Sequence, residues 1–136
     1  MNSLTVVVIV IGVFFIAYKF YAKVLEKLYD VNSENKTPAF TNYDGIDYVP
    51  VKHWTILFGH HFSSIAGAGP ILGPVLAAAV WGYLPALLWI LLGTIFIGAV
   101  HDFSALIVSI RHQGKSIANI ADTLLGLRAK ILFSAF

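Results

Sequence analysis

Three apolar segments constrain the fold of this chain more strongly than any other feature of its sequence. They run over residues 4–22, 54–80 and 85–110, and roughly 20 helical residues are enough to cross a bilayer core of ~30 Å. The chain is 58% hydrophobic and only 12% charged, about half the charge of a soluble domain. We therefore predict an all-α integral membrane protein with three full transmembrane helices. A net charge of +2 argues against a nucleic-acid partner.

The first apolar segment is predicted to be a membrane helix and not a cleaved signal peptide. No basic residue precedes it, whereas Lys19, Lys23 and Lys27 lie on or after its end, and no A-x-A cleavage site follows. The residues from 26 to 52 are polar and contain Pro38 and Pro50, which predicts a loop. Within this loop the sequence DGID, residues 44–47, predicts a turn, and a cation site there is the alternative.

The second apolar segment cannot form one uniform helix. Gly67, Gly69-Pro70 and Gly73-Pro74 interrupt it, and each internal proline costs a helix about 3 kcal/mol. Broken backbone inside a bilayer persists where protein or a water-filled cavity satisfies it, as in transporter helices that bind ions and substrates. We predict substrate contacts from the backbone of Gly67, Gly69 and Gly73 and from neighbouring serines. Those serines are Ser63 and Ser64. Glycines that allow close helix packing are the alternative.

Four ionisable residues lie inside the apolar segments and are candidates for proton coupling: His60, His61, His101 and Asp102. A carboxylate at mid-helix costs about 2.5–3.5 kcal/mol unless it has a partner or a wet cavity. Burial raises the pKa of such a carboxyl, whereas a neighbouring imidazolium lowers it. A structural role in helix packing is the alternative for each residue. Counting outward from the turn at residues 81–85 predicts one polar cluster of these groups with the two serines.

The segment after the third span predicts an amphipathic helix and a further hydrophobic stretch. Apolar residues recur with helical spacing over 116–125, with Ser116 as N-cap and Gly126 as the stop. A fourth span begins near residue 131, so we expect an N-terminal fragment that lacks its C-terminal remainder. All nine basic residues fall on one face of a three-span topology, which the positive-inside rule makes cytoplasmic, with the N-terminus outside.

The residues indicate no catalytic, metal or cofactor site. The chain has no Cys, which excludes disulfides, Cys-ligated zinc and iron–sulfur clusters. The histidines lack the i, i+4 spacing of a helical metal site. A small non-transporting membrane subunit or scaffold, with haem as its possible ligand, remains an alternative function. Intramembrane enzyme chemistry lacks a recognisable nucleophile motif.

Residues 37–126 closely resemble the carbon starvation protein CstA family. The resemblance is carried by TPAFTNYDGIDYVPVKHWTILFGHHFSSIAGAGPILGPVLAA (residues 37–78), by GYLP (residues 82–85) and by GAVHDF (residues 98–103). It implies a bacterial or archaeal inner-membrane transporter that takes up peptides in starvation or imports pyruvate with protons. It also implies a LeuT-like inverted-repeat fold, in which residues 56–80 are the broken core helix and residues 4–21 a preceding extra helix. The resemblance supplies no individual site residue.

Overall fold

The computed structural model describes residues 2–135, which form helices and no strand. This confirms the all-α prediction. The helices are α1 (Ser3–Leu28), α2 (Pro38–Thr41), α3 (Trp54–Ile65), α4 (Ala68–Trp81), α5 (Tyr83–Leu92), a π-helix (Gly93–Gly98), α6 (Ala99–Arg111), α7 (Ile117–Leu125) and α8 (Leu127–Ala135).

Two continuous helices are long and apolar enough to cross a membrane. These are Ser3–Leu28 and Tyr83–Arg111, the latter running from α5 through the π-helix into α6. Helices α3 and α4 are long and apolar enough to cross a membrane only when taken together. Their axes are bent by 52° at the break between them. The protein therefore has two candidate spans, or three if the bent pair counts as one.

Helix α1 extends six residues beyond the predicted span, to Leu28, so the loop predicted from residue 26 begins later than expected. The charged residues at its end are compatible with a helix, and the true stop is a left-handed residue. Asp30 has φ of 48°, and the N–H of Val31 donates to the carbonyl of Glu26 at 2.9 Å. This six-to-one bond is the usual way in which a left-handed residue closes a helix.

The chain divides into two compact units, and the first comprises residues 2–25 and 51–99. In this unit Gly82 joins α4 to α5 with φ of 88° and ψ of 162°, a conformation that is essentially restricted to glycine. The rings of Tyr21 and Phe96 pack edge to face, with centroids 5.2 Å apart. The first unit thus contains the broken helix, the α4–α5 hairpin and the π-helix.

The second unit comprises residues 26–50 and 100–135, and in it the polar loop is fastened to the end of α6. Gln113, in a left-handed conformation with φ of 64°, accepts two hydrogen bonds from the loop. The Tyr48 hydroxyl donates to its backbone carbonyl at 2.8 Å, and the Asn42 amide donates to its side-chain oxygen at 2.6 Å. The loop is therefore an ordered element held by contacts more than 60 residues apart in sequence.

Helix α7 begins and ends at the residues that the sequence predicts. The Ser116 hydroxyl accepts the N–H of Asn119 at 3.3 Å, and Gly126 closes the helix with φ of 90°. Helix α8 starts directly after this glycine, earlier than the predicted stretch from residue 131. The Lys130 ammonium lies 3.1 Å from a carboxylate oxygen of Asp122 and links the two helices.

The DGID sequence of the loop forms a turn organised by one carboxylate oxygen. Oδ1 of Asp44 accepts the backbone N–H groups of Ile46, Asp47 and Tyr48, each at 2.9 Å. These bonds, that of Tyr48 foremost and that of Ile46 next, hold the pKa of the Asp44 carboxyl below its usual value of 3.8. Because Oδ1 of Asp44 already accepts three backbone N–H groups, the structure favours the predicted turn over a cation site.

We expect the Asp44 turn to be pH-dependent in one direction. Because the folded pKa is lowered, the turn is stabilised above the usual carboxyl pKa and loses that stabilisation as the pH falls through the lowered value. NMR titration of the Ile46, Asp47 and Tyr48 amides should report this transition below about pH 4. Asp44→Asn should abolish it, whereas Asp47→Asn should leave it in place. Titration that persists in the Asp44 variant would refute the assignment.

Few side chains are covered by the chain itself. Among the described residues only five apolar side chains are buried, those of Leu25, Pro38, Ala86, Ile120 and Ala121. Large apolar side chains such as Phe58, with 62% of its surface exposed, lie along the outer faces of the helices. Water-soluble proteins rarely expose apolar patches of such extent. These faces are suited to lipid or to further protein.

Candidate functional site

The interruption in the second apolar segment is a single tight turn at Ala66. Its φ of −74° and ψ of 54° are those of an inverse γ-turn, and the N–H of Gly67 donates across it to the carbonyl of Ile65 at 2.7 Å. The sequence predicts interruptions at Gly67, Gly69-Pro70 and Gly73-Pro74. The structure breaks the helix beside the first of these, between Ile65 and Ala68, and at neither Gly-Pro step. Both prolines instead lie inside α4.

The position of each proline explains why α4 tolerates it. Pro70 is the third residue of α4, where a helix N–H has no intrahelical partner to lose. Pro74 lies in the interior of α4, and it has no N–H to donate to the carbonyl of Pro70. The consequence is a carbonyl oxygen at Pro70 without its usual i+4 donor.

The amino end of α4 presents backbone donors and no capping side chain. Gly67 is the N-cap, and it offers no side-chain acceptor to the first turn. The N–H groups of Ala68 and Gly69 are therefore open to a ligand, since the first N–H groups of a helix have no partner within it. Their dipoles favour an anionic group at this end. The substrate contacts assigned to the Gly67 and Gly69 backbone stay a prediction.

A second irregularity, which the sequence reasoning missed, is the π-helix over Gly93–Gly98. The N–H of Ala99 donates to the carbonyl of Thr94, five residues earlier, in place of the usual four. Isolated π-turns of this kind occur frequently at functional sites. No local signal in the sequence points to it, because Gly93 and Gly98 lie within an apolar run that has no polar face to show a change of helical period.

Helix α4, which follows the break, and the π-helix line one cavity of about 660 Å³ in the first unit. Its walls are small residues of α4, aromatic and aliphatic residues of α5 and the exposed turn of the π-helix. The lining residues are Gly69, Pro70, Gly73, Pro74, Ala77, Trp81, Ala86, Trp89, Ile90, Gly93, Thr94, Ile97 and Gly98. Mostly apolar cavities with a few polar groups are typical of small-molecule sites. Thr94 supplies the only side-chain hydroxyl in this lining.

The predicted substrate-binding residues divide between this cavity and the preceding helix. Gly69 and Gly73 line the cavity, whereas Gly67 lies at the break outside its lining. Ser63 and Ser64 lie on α3, and both hydroxyls donate to the carbonyl of His60 at 2.9 Å. Such back-bonding bends helices, and it leaves the serine oxygens with acceptor capacity only.

The predicted proton-coupling residues fall in both compact units. His60 and His61 lie on α3 in the first unit, whereas His101 and Asp102 lie on α6 in the second. Within α6 the Nδ1 atom of His101 is 3.1 Å from Oδ1 of Asp102, and their side chains are 79% and 39% exposed. The His101–Asp102 pair is thus an observed contact. The single cluster of all four groups stays a prediction.

Near this pair the structure adds contacts that the sequence reasoning did not find. The Ser104 hydroxyl donates to the carbonyl of Val100 and shares a hydrogen bond with the Tyr29 hydroxyl. The Tyr29 ring also packs edge to face on Phe103, with centroids 5.8 Å apart. Across residues 2–135, no group of three or more His, Cys, Asp or Glu side chains is placed to hold a metal ion.

Apolar helices of spanning length, one of them broken beside a cavity and another opened by a π-turn, define a helical membrane protein. Within that class the chain belongs to the carbon starvation protein CstA family, whose model matches residues 2–136. The resemblance seen over residues 37–126 is thereby confirmed and extended.

The curated relatives carry transporter names. The chain is 46% identical to the peptide transporter CstA of Bacillus subtilis over 93% of its own length, and 44% identical to that of Escherichia coli over 96%. It is 43% identical to the pyruvate/proton symporter BtsT of E. coli over 92%. These alignments cover 21%, 18% and 17% of the respective relatives, so the chain spans about a fifth of their length. No solved structure matches the chain.

Proposed function

We propose that this protein is a multi-pass secondary transporter of the inner membrane that imports pyruvate or small peptides with protons during nutrient limitation. One observation carries the proposal: helix α4, which begins directly after the break, and the π-helix line the same cavity. Discontinuous helices of this kind form substrate and ion sites in transporters. The names of the relatives support the same class of function. Transport, not enzyme chemistry, is the activity we assign.

In this proposal the substrate carboxylate binds at the amino end of α4. The free N–H groups of Ala68 and Gly69 are the donors to the carboxylate. The Gly67 and Gly73 backbone and the Ser63 and Ser64 oxygens would contact the substrate beyond its carboxylate, the serine oxygens as acceptors. Both pyruvate and a peptide carry a carboxylate, so this end of the site would be common to the two substrates. The bend of 52° between α3 and α4 supports a LeuT-like core helix, with α1 as a preceding extra helix.

Proton coupling is assigned to the His101–Asp102 pair with His60 and His61 as partners. The observed Nδ1–Oδ1 contact of 3.1 Å allows a proton to be shared between the imidazole and the carboxylate. Residues that correspond to the remaining length of the relatives would complete the transport path. We place the basic loop on the cytoplasmic side and the N-terminus outside, on the distribution of basic residues.

Proteoliposomes that contain the full-length protein provide the test. An inward proton gradient should drive accumulation of labelled pyruvate or a labelled dipeptide, and a protonophore should prevent it. Protein-free liposomes are the control. Accumulation that follows a sodium gradient and ignores the proton gradient would overturn the proton coupling. The absence of uptake of both substrates under either gradient would overturn the transport proposal.

A further inference from the structure

A second cavity, of about 430 Å³, lies within the second unit and has no part in the proposed transport site. It is formed by the loop that follows α1 and by the carboxyl-terminal end of α6. Two cations, Lys36 and Arg111, line it together with a single carboxylate, that of Asp30. Ile107 and Ile110 of α6 form an apolar wall beside them. The cavity is therefore both basic and amphipathic.

The Arg111 guanidinium is fixed in place without being neutralised. Its Nη2 atom donates to the backbone carbonyls of Tyr29 and Asp30, the latter at 3.2 Å. Both acceptors are uncharged, so they orient the guanidinium and leave its positive charge intact. Within residues 2–135 no carboxylate lies within 4.0 Å of Arg111 or of Lys36. Two cations against the one carboxylate of Asp30 leave the cavity lining with a net positive charge, which favours an anionic ligand.

The remaining polar groups of the cavity are suited to phosphate oxygens. Ser33 and Thr37 supply hydroxyl donors. The side-chain oxygen of Asn32 accepts the N–H of Glu34 at 2.9 Å, which leaves its amide NH₂ group to donate. Arginine forms a planar fork that matches phosphate geometry, and lysine adds a point charge. The cavity thus offers more hydrogen-bond donors than a single carboxylate ligand would use.

We propose that this cavity binds the phosphate group of an anionic phospholipid. Arg111 is the last residue of the apolar helix Tyr83–Arg111, the position at which basic side chains meet lipid headgroups. Ile107 and Ile110 lie on the same helix, up to about one turn closer to its centre, where they would contact the glycerol and acyl portion. A free phosphate compound shares the headgroup chemistry but makes no use of this apolar wall. The proposal is independent of the transported substrate.

Native mass spectrometry of the full-length protein, released from nanodiscs of phosphatidylcholine and phosphatidylglycerol, tests the assignment. Wild-type protein should retain phosphatidylglycerol. Arg111→Gln and Lys36→Gln should each weaken its retention about tenfold, since each removes a charge-assisted contact. Arg128→Gln and Lys52→Gln remove the same charges outside the cavity, and they should retain the lipid as wild type does.

Arg111→Gln could lose the lipid merely because Arg111 also holds the loop. The Lys36 variant excludes this explanation, because the Lys36 side chain makes no hydrogen bond within residues 2–135. Equal retention in cavity and control variants, or equal loss, would overturn the site. Inorganic phosphate is the second probe, applied to lipid-free protein in detergent. If it binds as tightly as phosphatidylglycerol and is lost in the Lys36 variant, a soluble phosphate compound replaces the lipid and the lipid assignment is wrong.

Discussion

Asp102→Asn should abolish proton-driven accumulation of substrate while the protein still inserts in the membrane. Asparagine keeps the size of the side chain but can neither bind nor release a proton, and the His101 Nδ1 atom loses the carboxylate that lies 3.1 Å from it. With one proton carried per substrate, wild-type protein accumulates substrate about tenfold per unit of pH gradient. The variant should reach only equal concentrations on the two sides, as measured by labelled uptake in proteoliposomes.

Asp47→Asn is the matched control for this experiment. Asp47 lies in the loop turn, and its contribution there is its backbone N–H, so the substitution removes a carboxylate at no cost to the turn. It should leave uptake at the wild-type level. Accumulation by the Asp102 variant at the wild-type rate, with the wild-type pH dependence, would show that another group carries the proton.

Gly73→Leu should reduce the apparent affinity for substrate by about a hundredfold. Gly73 lines the cavity of about 660 Å³ formed by α4, α5 and the π-helix. A β-carbon added at Gly73 would have no atom within 4 Å. The new side chain therefore extends into open space without disturbing the helix. One methylene group too many in an apolar pocket costs about 10- to 200-fold, and the leucine side chain takes up space in an open cavity, so we expect a loss within this range. Concentration-dependent uptake measures the change.

Gly12→Leu tests whether this loss is specific to the cavity. Gly12 lies on α1 outside the cavity lining, and a β-carbon there also meets no atom within 4 Å. Uptake should be unchanged in this variant. If both Gly73→Leu and Gly12→Leu keep the wild-type affinity, the substrate does not occupy this cavity.

The sequence predicted those features of the fold that depend on local chemistry. The apolar segments, the Ser116 cap and the stop at Gly126 follow from residue types at fixed spacing, and the structure reproduces them. Of the three predicted interruptions, the one at Gly67 coincides with the break, whereas the two Gly-Pro steps lie within α4. Proline in a first helical turn loses no bond, so Pro70 is compatible with the start of a helix.

Other features of the site could not be predicted from local patterns. A π-turn changes the helical period slightly, and an apolar run such as that around Ile95 has no polar face to reveal the change. The hydrogen bonds of Gln113 with Tyr48 and Asn42 join residues more than 60 positions apart. Only the folded chain shows that these polar residues meet.

The small number of buried side chains has a thermodynamic consequence. Residues 2–135 bury only five apolar side chains among themselves, those of Ala86 and Ile120 included. Most of the folding free energy therefore comes from the lipid or protein that covers the exposed apolar side chains. Stability is then linked by mass action to those surroundings, in the way that a bound ligand raises a melting temperature. A melting temperature for this protein is accordingly defined only together with the lipid-to-protein ratio at which it is measured.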